Sequence, residues 1–198
     1  MIQIVRKVKI IGTGSYLPIT IYTNEYLETI APTNAKWIEE NLGIKERRIA
    51  LPNQTTSDLA AEAGKKAIEN AGLSPDDIDL IIVATATPDR LAPSTAAIVQ
   101  DKLKAYNSVA FDLAAVCSGF LFGISTASQF IATGVYNNAL VIGADTFSKI
   151  IDWSRRDCVF FGDGAGAAVL SHTETDGGFL AFRLYTDGRG KWNFTIPG

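Results

Sequence analysis

Histidine occurs once, at His172, and cysteine only twice, at Cys117 and Cys158. So few ligands, so far apart, exclude a tetrahedral metal cluster. Two thiols in 198 residues also argue against a disulfide-stapled secreted scaffold and fit a reducing compartment. No long block of either charge is present: 18 basic and 21 acidic residues leave a net charge of −3. That balance gives no electrostatic footprint for nucleic acid. The densest basic clusters, KERR at 45–48 and RR at 155–156, suit solvated faces or a single phosphate-bearing ligand. Apolar runs long enough to span a membrane are missing too. The longest apolar-rich stretch, 118–133, is interrupted by Ser125, Thr126, Ser128 and Gln129 and falls short of a span. The opening MIQIVRKVKIIGTG has no continuous apolar core of a signal peptide and runs into a strand pattern. Linkers, repeats and low-complexity segments are absent. A cytoplasmic protein with no membrane or nucleic-acid partner is expected.

What the chain has is a core: 47% of its residues are hydrophobic, enough for one ordinary domain or a large part of something larger. VKIIGTGSYLP (8–18) reads as a strand, TNEYLETI and TNAKWIEENLG as two short helices, the second stopped by Gly43, and IKERRIAL as a short extended segment. The pattern then becomes regular. A helix opens near Ser57, read as its N-cap, and closes at Gly72. DIDLIIVATAT (77–87) is a nearly continuous apolar strand of the kind covered on both faces. Helix PSTAAIVQDKLKA, strand SVAFDLAA, helix SGFLFGISTASQFIATG and strand NALVIGAD follow. Three successive helix-then-strand units predict an α/β fold with a mixed, mostly parallel five-stranded sheet and helices on both faces. GDGAGAAVLSHT and GGFLAFRLYTDG carry no helix between them and predict an antiparallel hairpin at one edge. The 118–133 helix has almost no polar face, and Gly119, Gly123, Ala127 and Ala132 would let neighbours approach closely. A helix apolar all round is normally buried in a large protein, so this chain is expected to pack against another unit.

Cys117 sits where strand AFDLAA gives way to a helix. Helix N-termini favour thiolates, and the carboxyl ends of parallel strands are where α/β sheets place ligands. Position alone fits a nucleophile or a small structural thiol. Cys158, inside DCVFF, reads as an inert core thiol. FGDGAGAAVL (161–170) and GTGS (12–15) are glycine-rich, but neither opens a helix that could cradle a phosphate. The glycines of 161–170 instead predict either a turn of positive φ or close packing against a neighbouring loop. His172 reads as an exposed loop residue. Trp37, Lys45 and Arg155 fit nucleotide binding by stacking and charge, or a core tryptophan and two surface cations.

Taken in order, IIGTGSYLP, NLGIKERRIA, ATATPDRLAPSTA, DLAAVCSGF and FGDGAGAAVL resemble β-ketoacyl-acyl-carrier-protein synthase III, the initiating condensing enzyme of type II fatty-acid synthesis and a member of the thiolase superfamily. The resemblance runs the length of the chain. It implies that residues 1–198 form one N-terminal thiolase-like domain and that Cys117 accepts an acyl group from acyl-CoA as a thioester. It implies that Trp37 and Arg155 sandwich the adenine of coenzyme A with Thr33 nearby, that Phe161 lines the acyl pocket, and that Lys45 meets the carrier protein or CoA phosphates. Acyl-CoA enters as a substrate, so no cofactor is implied; the partners implied are malonyl-acyl carrier protein and a second copy of the chain in a homodimer.

Three departures stand out. Asn41 occupies a position that is arginine in some members, near the CoA site. Ala92 stands where many carry a phenylalanine whose ring, from the partner subunit, caps the primer pocket, which predicts room for a primer longer or bulkier than acetyl. Family members are longer, with two similar halves, and their histidine and asparagine that stabilise the enolate lie in the second. No stretch of this chain matches either, so the expectation is self-acylation without condensation. The alternatives are a superfamily acyltransferase that passes the acyl group from Cys117 to an alcohol or amine, and a non-catalytic dimerisation or accessory half.

Overall fold

The computed structural model describes residues 6–193 and 195; the opening MIQIV, read above as leading into a strand, lies outside them. Along the chain run β1 (Lys7–Tyr16), β2 (Thr20–Thr23), α1 (Asn24–Glu28), α2 (Ala35–Leu42), β3 (Glu46–Ile49), α3 (Thr56–Asn70), β4 (Leu80–Ala84), α4 (Thr95–Leu103), β5 (Val109–Leu113), α5 (Gly119–Ala132), β6 (Asn138–Thr146) and β7 (Asp163–Thr173). Five strands form one sheet in the order β1-β7-β6-β4-β5. β4 pairs in parallel with both β5 and β6. β7 lies antiparallel between β6 and β1, so the other four strands point one way. The expected mixed, mostly parallel sheet is present.

The run LIIVA in β4 is buried at all five positions, and its alternation explains why. Ile81 and Val83 pack with Leu59, Ala63 and Ala67 of α3 and Val99 of α4 on one face. Leu80 and Ile82 pack with Ile124, Ala127 and Ile131 of α5 on the other. Each buried Leu, Ile or Val among them contributes about 2 kcal/mol and each alanine less, and neither face tolerates a polar residue. Helices therefore cover both faces, as the sequence predicts.

Close approach decides the glycine positions in β1. A Cβ on Gly12 would lie 2.4 Å from the Ala67 carbonyl oxygen, and one on Gly14 would lie 2.2 Å from that of Ala63. GTGS is thus where β1 lies directly on the α3 backbone, which accounts for its glycines without a nucleotide. The small residues of α5 act alike: a Cβ on Gly123 would meet Val141 Cγ1 at 2.8 Å, and one on Gly119 would meet Ala84 Cβ at 3.0 Å. The small-residue stripe thus faces β4 and β6. The apolar residues left over, Leu121 at 62% exposure and Val116 at 52% just before the helix, face outward.

Two local expectations change. The N-cap of α3 is Thr55, whose N–H donates to Asp58 Oδ2 at 2.7 Å in a capping box; Ser57 is instead fully buried in the first turn. The segment 178–187 carries no strand. β7 already has β1 and β6 on its two sides, so no second arm can pair with it. Phe179 and Phe182 instead pack onto the α5 side of the core, and the Phe179 N–H donates to the Val8 carbonyl at 2.8 Å. An antiparallel ribbon does stand apart from the main sheet, built by β2 and β3.

Candidate functional site

Register brings three of the singled-out residues, Ala92, Cys117 and Phe161, to one end of the sheet. β4, β5 and β6 are parallel, so the loop carrying Ala92, the turn carrying Cys117 and Phe147 all leave from carboxyl ends. β7 starts at the same end, because Asp163 pairs with Thr146, and Phe161 stands just before it. This is the edge where open α/β sheets bind ligands.

Cys117 follows β5 in a short 3-10 turn, Val116–Ser118, that leads into α5. Its thiol is free and exposed, whereas Cys158 is buried at 1% exposure. Val116, directly before the cysteine, has φ 45°. A β-branched residue in the left-handed region costs on the order of 1–3 kcal/mol, and such strain is retained where it aims a side chain. Cys158 behaves as its setting dictates: burial pushes its thiol up, with the Arg47 guanidinium opposing and Asp157 adding to the rise.

Three carboxylates that the sequence reading passed over hold this edge together. Asp112 at the end of β5 accepts from the backbone N–H groups of Thr95 (2.7 Å) and Ala96 (2.6 Å), capping α4. Asp145 in β6 accepts from the Ala86 N–H (2.8 Å) and the Thr85 and Thr87 hydroxyls (3.1 Å each). Burial nonetheless dominates and raises its carboxyl above the usual range. Asp163, buried in β7, accepts from the Ala50 N–H at 2.7 Å and from the Ser148 N–H at 2.9 Å. A lone acid inside an apolar or glycine-rich strand is the available sequence signal. In the FGDGAG stretch, Gly162 packs on β3, where an added Cβ would sit 3.0 Å from Arg47 Cβ. None of Gly162, Gly164 and Gly166 has a positive φ; close packing applies at Gly162 and Gly164, whereas a Cβ on Gly166 would meet nothing within 4 Å.

Phe161 is half-buried and stacks on Phe147, with ring centroids 4.9 Å apart at 17°. Ala92 is exposed on the loop between β4 and α4, and Lys45 is exposed just before β3. His172 is exposed near the end of β7, paired with Val8.

Trp37 of α2 packs on a third apolar cluster that includes Leu27, Ile38, Cys158 and Val159. That cluster brings α2 against the loop 151–160. The guanidinium that reaches the indole is Arg156, with Cζ 4.2 Å from the ring centroid. Arg155 is turned to Asp157, with Nε and Nη2 donating at 3.2 and 2.9 Å. The Thr33 hydroxyl is buried without a hydrogen-bond partner among the described residues. Among those residues no group of His, Cys, Asp and Glu suited to hold a metal occurs. No helix there is long and apolar enough to cross a membrane.

A profile of the 3-oxoacyl-[acyl-carrier-protein (ACP)] synthase III family matches residues 111–188, which include Cys117 and the FGDGAG stretch. A β-ketoacyl-[acyl-carrier-protein] synthase III of Caldanaerobacter subterraneus subsp. tengcongensis is 57% identical over 189 residues, covering 95% of this chain and 57% of that one. The crystal structure of a 3-oxoacyl-[acyl-carrier-protein] synthase III from Aquifex aeolicus VF5 superposes with a TM-score of 0.89 at 49% identity, over 92% of this chain and 59% of that one. The priming β-ketosynthase of the R1128 polyketide pathway gives a TM-score of 0.85 at 34% identity, over 89% and 53% of the two chains. The chain thus spans a little over half the length of the curated relatives it matches. Over that span the chain matches the β-ketoacyl-[acyl-carrier-protein] synthase III family in both sequence and fold.

Proposed function

We propose that this chain carries the acyl-accepting part of a condensing enzyme that joins an acyl-CoA primer to malonyl-acyl carrier protein. The observation that carries the reading is the exposed Cys117 thiol, set behind a positive-φ valine at the carboxyl edge of the sheet. In the first step the Cys117 sulfur attacks the acyl-CoA carbonyl, a new C–S bond forms, and the bond to the CoA sulfur breaks with CoA leaving as the thiol. In the second, the malonyl thioester loses carbon dioxide, and the resulting carbanion attacks the acyl-cysteine and returns the free thiol. No cofactor enters either step, because acyl-CoA is consumed as substrate.

Binding roles follow the same reading. Trp37, with the Arg155–Arg156 loop beside it, forms the adenine site, and the unpartnered Thr33 hydroxyl is available to a polar edge of the base. Phe161 lines the acyl pocket and Ala92 leaves it roomy, which favours primers longer than acetyl. Lys45 meets carrier-protein acids or CoA phosphates. The edge of β5, which has no second strand neighbour among the described residues, and the exposed Val116 and Leu121 suit association with a second copy in a homodimer and with a C-terminal half of the kind that longer family members carry.

The condensation step needs donors aimed at the developing enolate oxygen, and the family's histidine and asparagine have no counterparts in this sequence. The chain alone is therefore assigned acylation without condensation. Carbon dioxide release from malonyl-carrier protein by the acylated chain tests this: background release is expected, and catalytic release contradicts it.

A further inference from the structure

We propose that Arg47 is a positioning residue for primer selection, aiming Phe161 from behind without touching substrate; this rests on the reading of Phe161 as a wall of the acyl pocket. Arg47 lies in β3 and is only 6% exposed. Among the described residues no carboxylate stands within ion-pair distance of it. Its guanidinium meets neutral oxygens instead. Nη1 donates to the Tyr22 carbonyl at 3.2 Å, Nη1 and Nη2 each donate to Asn24 Oδ1 at 3.0 Å, and Nη2 donates to the Val159 carbonyl at 3.3 Å. Nε is buried with no hydrogen-bond partner among the described residues.

A buried cation without a counter-charge is a costly way to fill a core. A leucine or methionine there would avoid that cost. What the guanidinium adds is direction, since its rigid plane addresses several fixed acceptors at once. These acceptors belong to three stretches: β2, the start of α1 and the 3-10 turn Arg156–Phe160. Asn24 is itself buried and tied down, with Nδ2 donating to the Ile44 carbonyl at 2.7 Å.

Two of the contacts flank Phe161. Nη2 holds the carbonyl two residues before it. Gly162, directly after it, lies so close that an added Cβ would sit 3.0 Å from Arg47 Cβ and 3.2 Å from the Arg48 carbonyl oxygen. The Phe161 N–H closes the turn on the Cys158 carbonyl at 3.3 Å, so the ring leaves a backbone seated on β3 from both sides. Phe147 then stacks on that ring from the end of β6. A pocket that measures chain length discriminates by roughly tenfold or more per methylene, so a small displacement of one wall changes which primer fits.

The test is the ratio of Cys117 acylation rates with hexanoyl-CoA and acetyl-CoA, read by intact mass of the full chain. A ratio taken on one sample does not depend on the fraction folded, so a loss of stability alone leaves it unmoved. Phe161→Ala, which removes the wall, is the reference. Arg47→Lys keeps the charge but replaces the fork with a single tip. Asn24→Ala keeps the arginine and removes the oxygen that both Nη atoms share, and it carries the test should Arg47→Lys not fold by circular dichroism. Both are expected to raise the hexanoyl-to-acetyl ratio by about threefold or more, in the same direction as Phe161→Ala. A parental ratio in either folded variant, with the Phe161→Ala ratio shifted, overturns the assignment and leaves the pocket reading intact. If Phe161→Ala keeps the parental ratio, the pocket reading falls and the assignment with it.

Discussion

Asp112 and Ala96 lie 16 residues apart, and the aspartate carboxylate accepts the Ala96 N–H at 2.6 Å while its second oxygen takes that of Thr95. One side chain at the end of β5 thus fixes where α4 begins. The same strand, five residues on, delivers Cys117, so the contact ties the Ala92 loop to the cysteine turn. Asp112→Ala leaves two backbone donors at the start of α4 without this acceptor and removes a favourable charge at a helix N-terminus. A loss of about 2 kcal/mol in unfolding free energy is expected in urea denaturation, with slower labelling of Cys117 by iodoacetamide-type reagents as the register of the edge loosens.

Gly14 and Gly166 lie one step apart in the β1–β7 pairing, Gly14 opposite Ala167 and Gly166 opposite Ser15, yet they answer to different constraints. A methyl at Gly14 would collide with backbone on α3, whereas one at Gly166 would meet nothing within 4 Å. Gly14→Ala is expected to cost about 3 kcal/mol or to abolish folding. Gly166→Ala, whose backbone is not in the left-handed region, is expected to stay within about 0.5 kcal/mol of the parent. Thermal midpoints of the two variants check this directly.

Asp145 is the buried acid whose burial raises its carboxyl despite three hydrogen bonds. A raised folded-state pKa means that the folded chain keeps the proton to higher pH than the unfolded chain. Its stabilising share is present in full below the unfolded carboxylate value and is lost as pH rises through the folded one. All three donors point at Oδ1, so Asp145→Asn keeps the acceptor and removes the charge. The variant is expected to equal or exceed the parent in stability at neutral pH, with its advantage shrinking toward pH 4. Denaturation midpoints across that range measure it.

Much of this arrangement was written locally. The continuous burial of β4, the Ser94 cap of α4, whose hydroxyl accepts the Ala97 N–H, the left-handed Gly43 that ends α2 and the cysteine at a strand-to-helix junction all follow from near neighbours. What was not legible depends on distant ones. FLAF at 179–182 has strand chemistry, but β7 has no free side to offer it. Ser57 and Thr55 are both acceptable caps, and the Asp58 carboxylate selects Thr55. Burial works against that carboxylate, but Lys102 and the Thr55 donors outweigh it and hold it below the usual range. Arg155 and Arg156 differ by one step in sequence, and only the 3-10 turn decides which reaches Trp37. The strain at Val116 has no signature in residue type, since valine is a poor choice for positive φ.

The central claim is that Cys117 accepts an acyl group. Incubating the folded chain with a medium-chain acyl-CoA and measuring intact mass tests it most directly. The account predicts one acyl adduct, retained in Cys158→Ser and lost in Cys117→Ser, with a matching amount of free CoA thiol released. An unmodified chain, or an adduct that persists in Cys117→Ser, contradicts it.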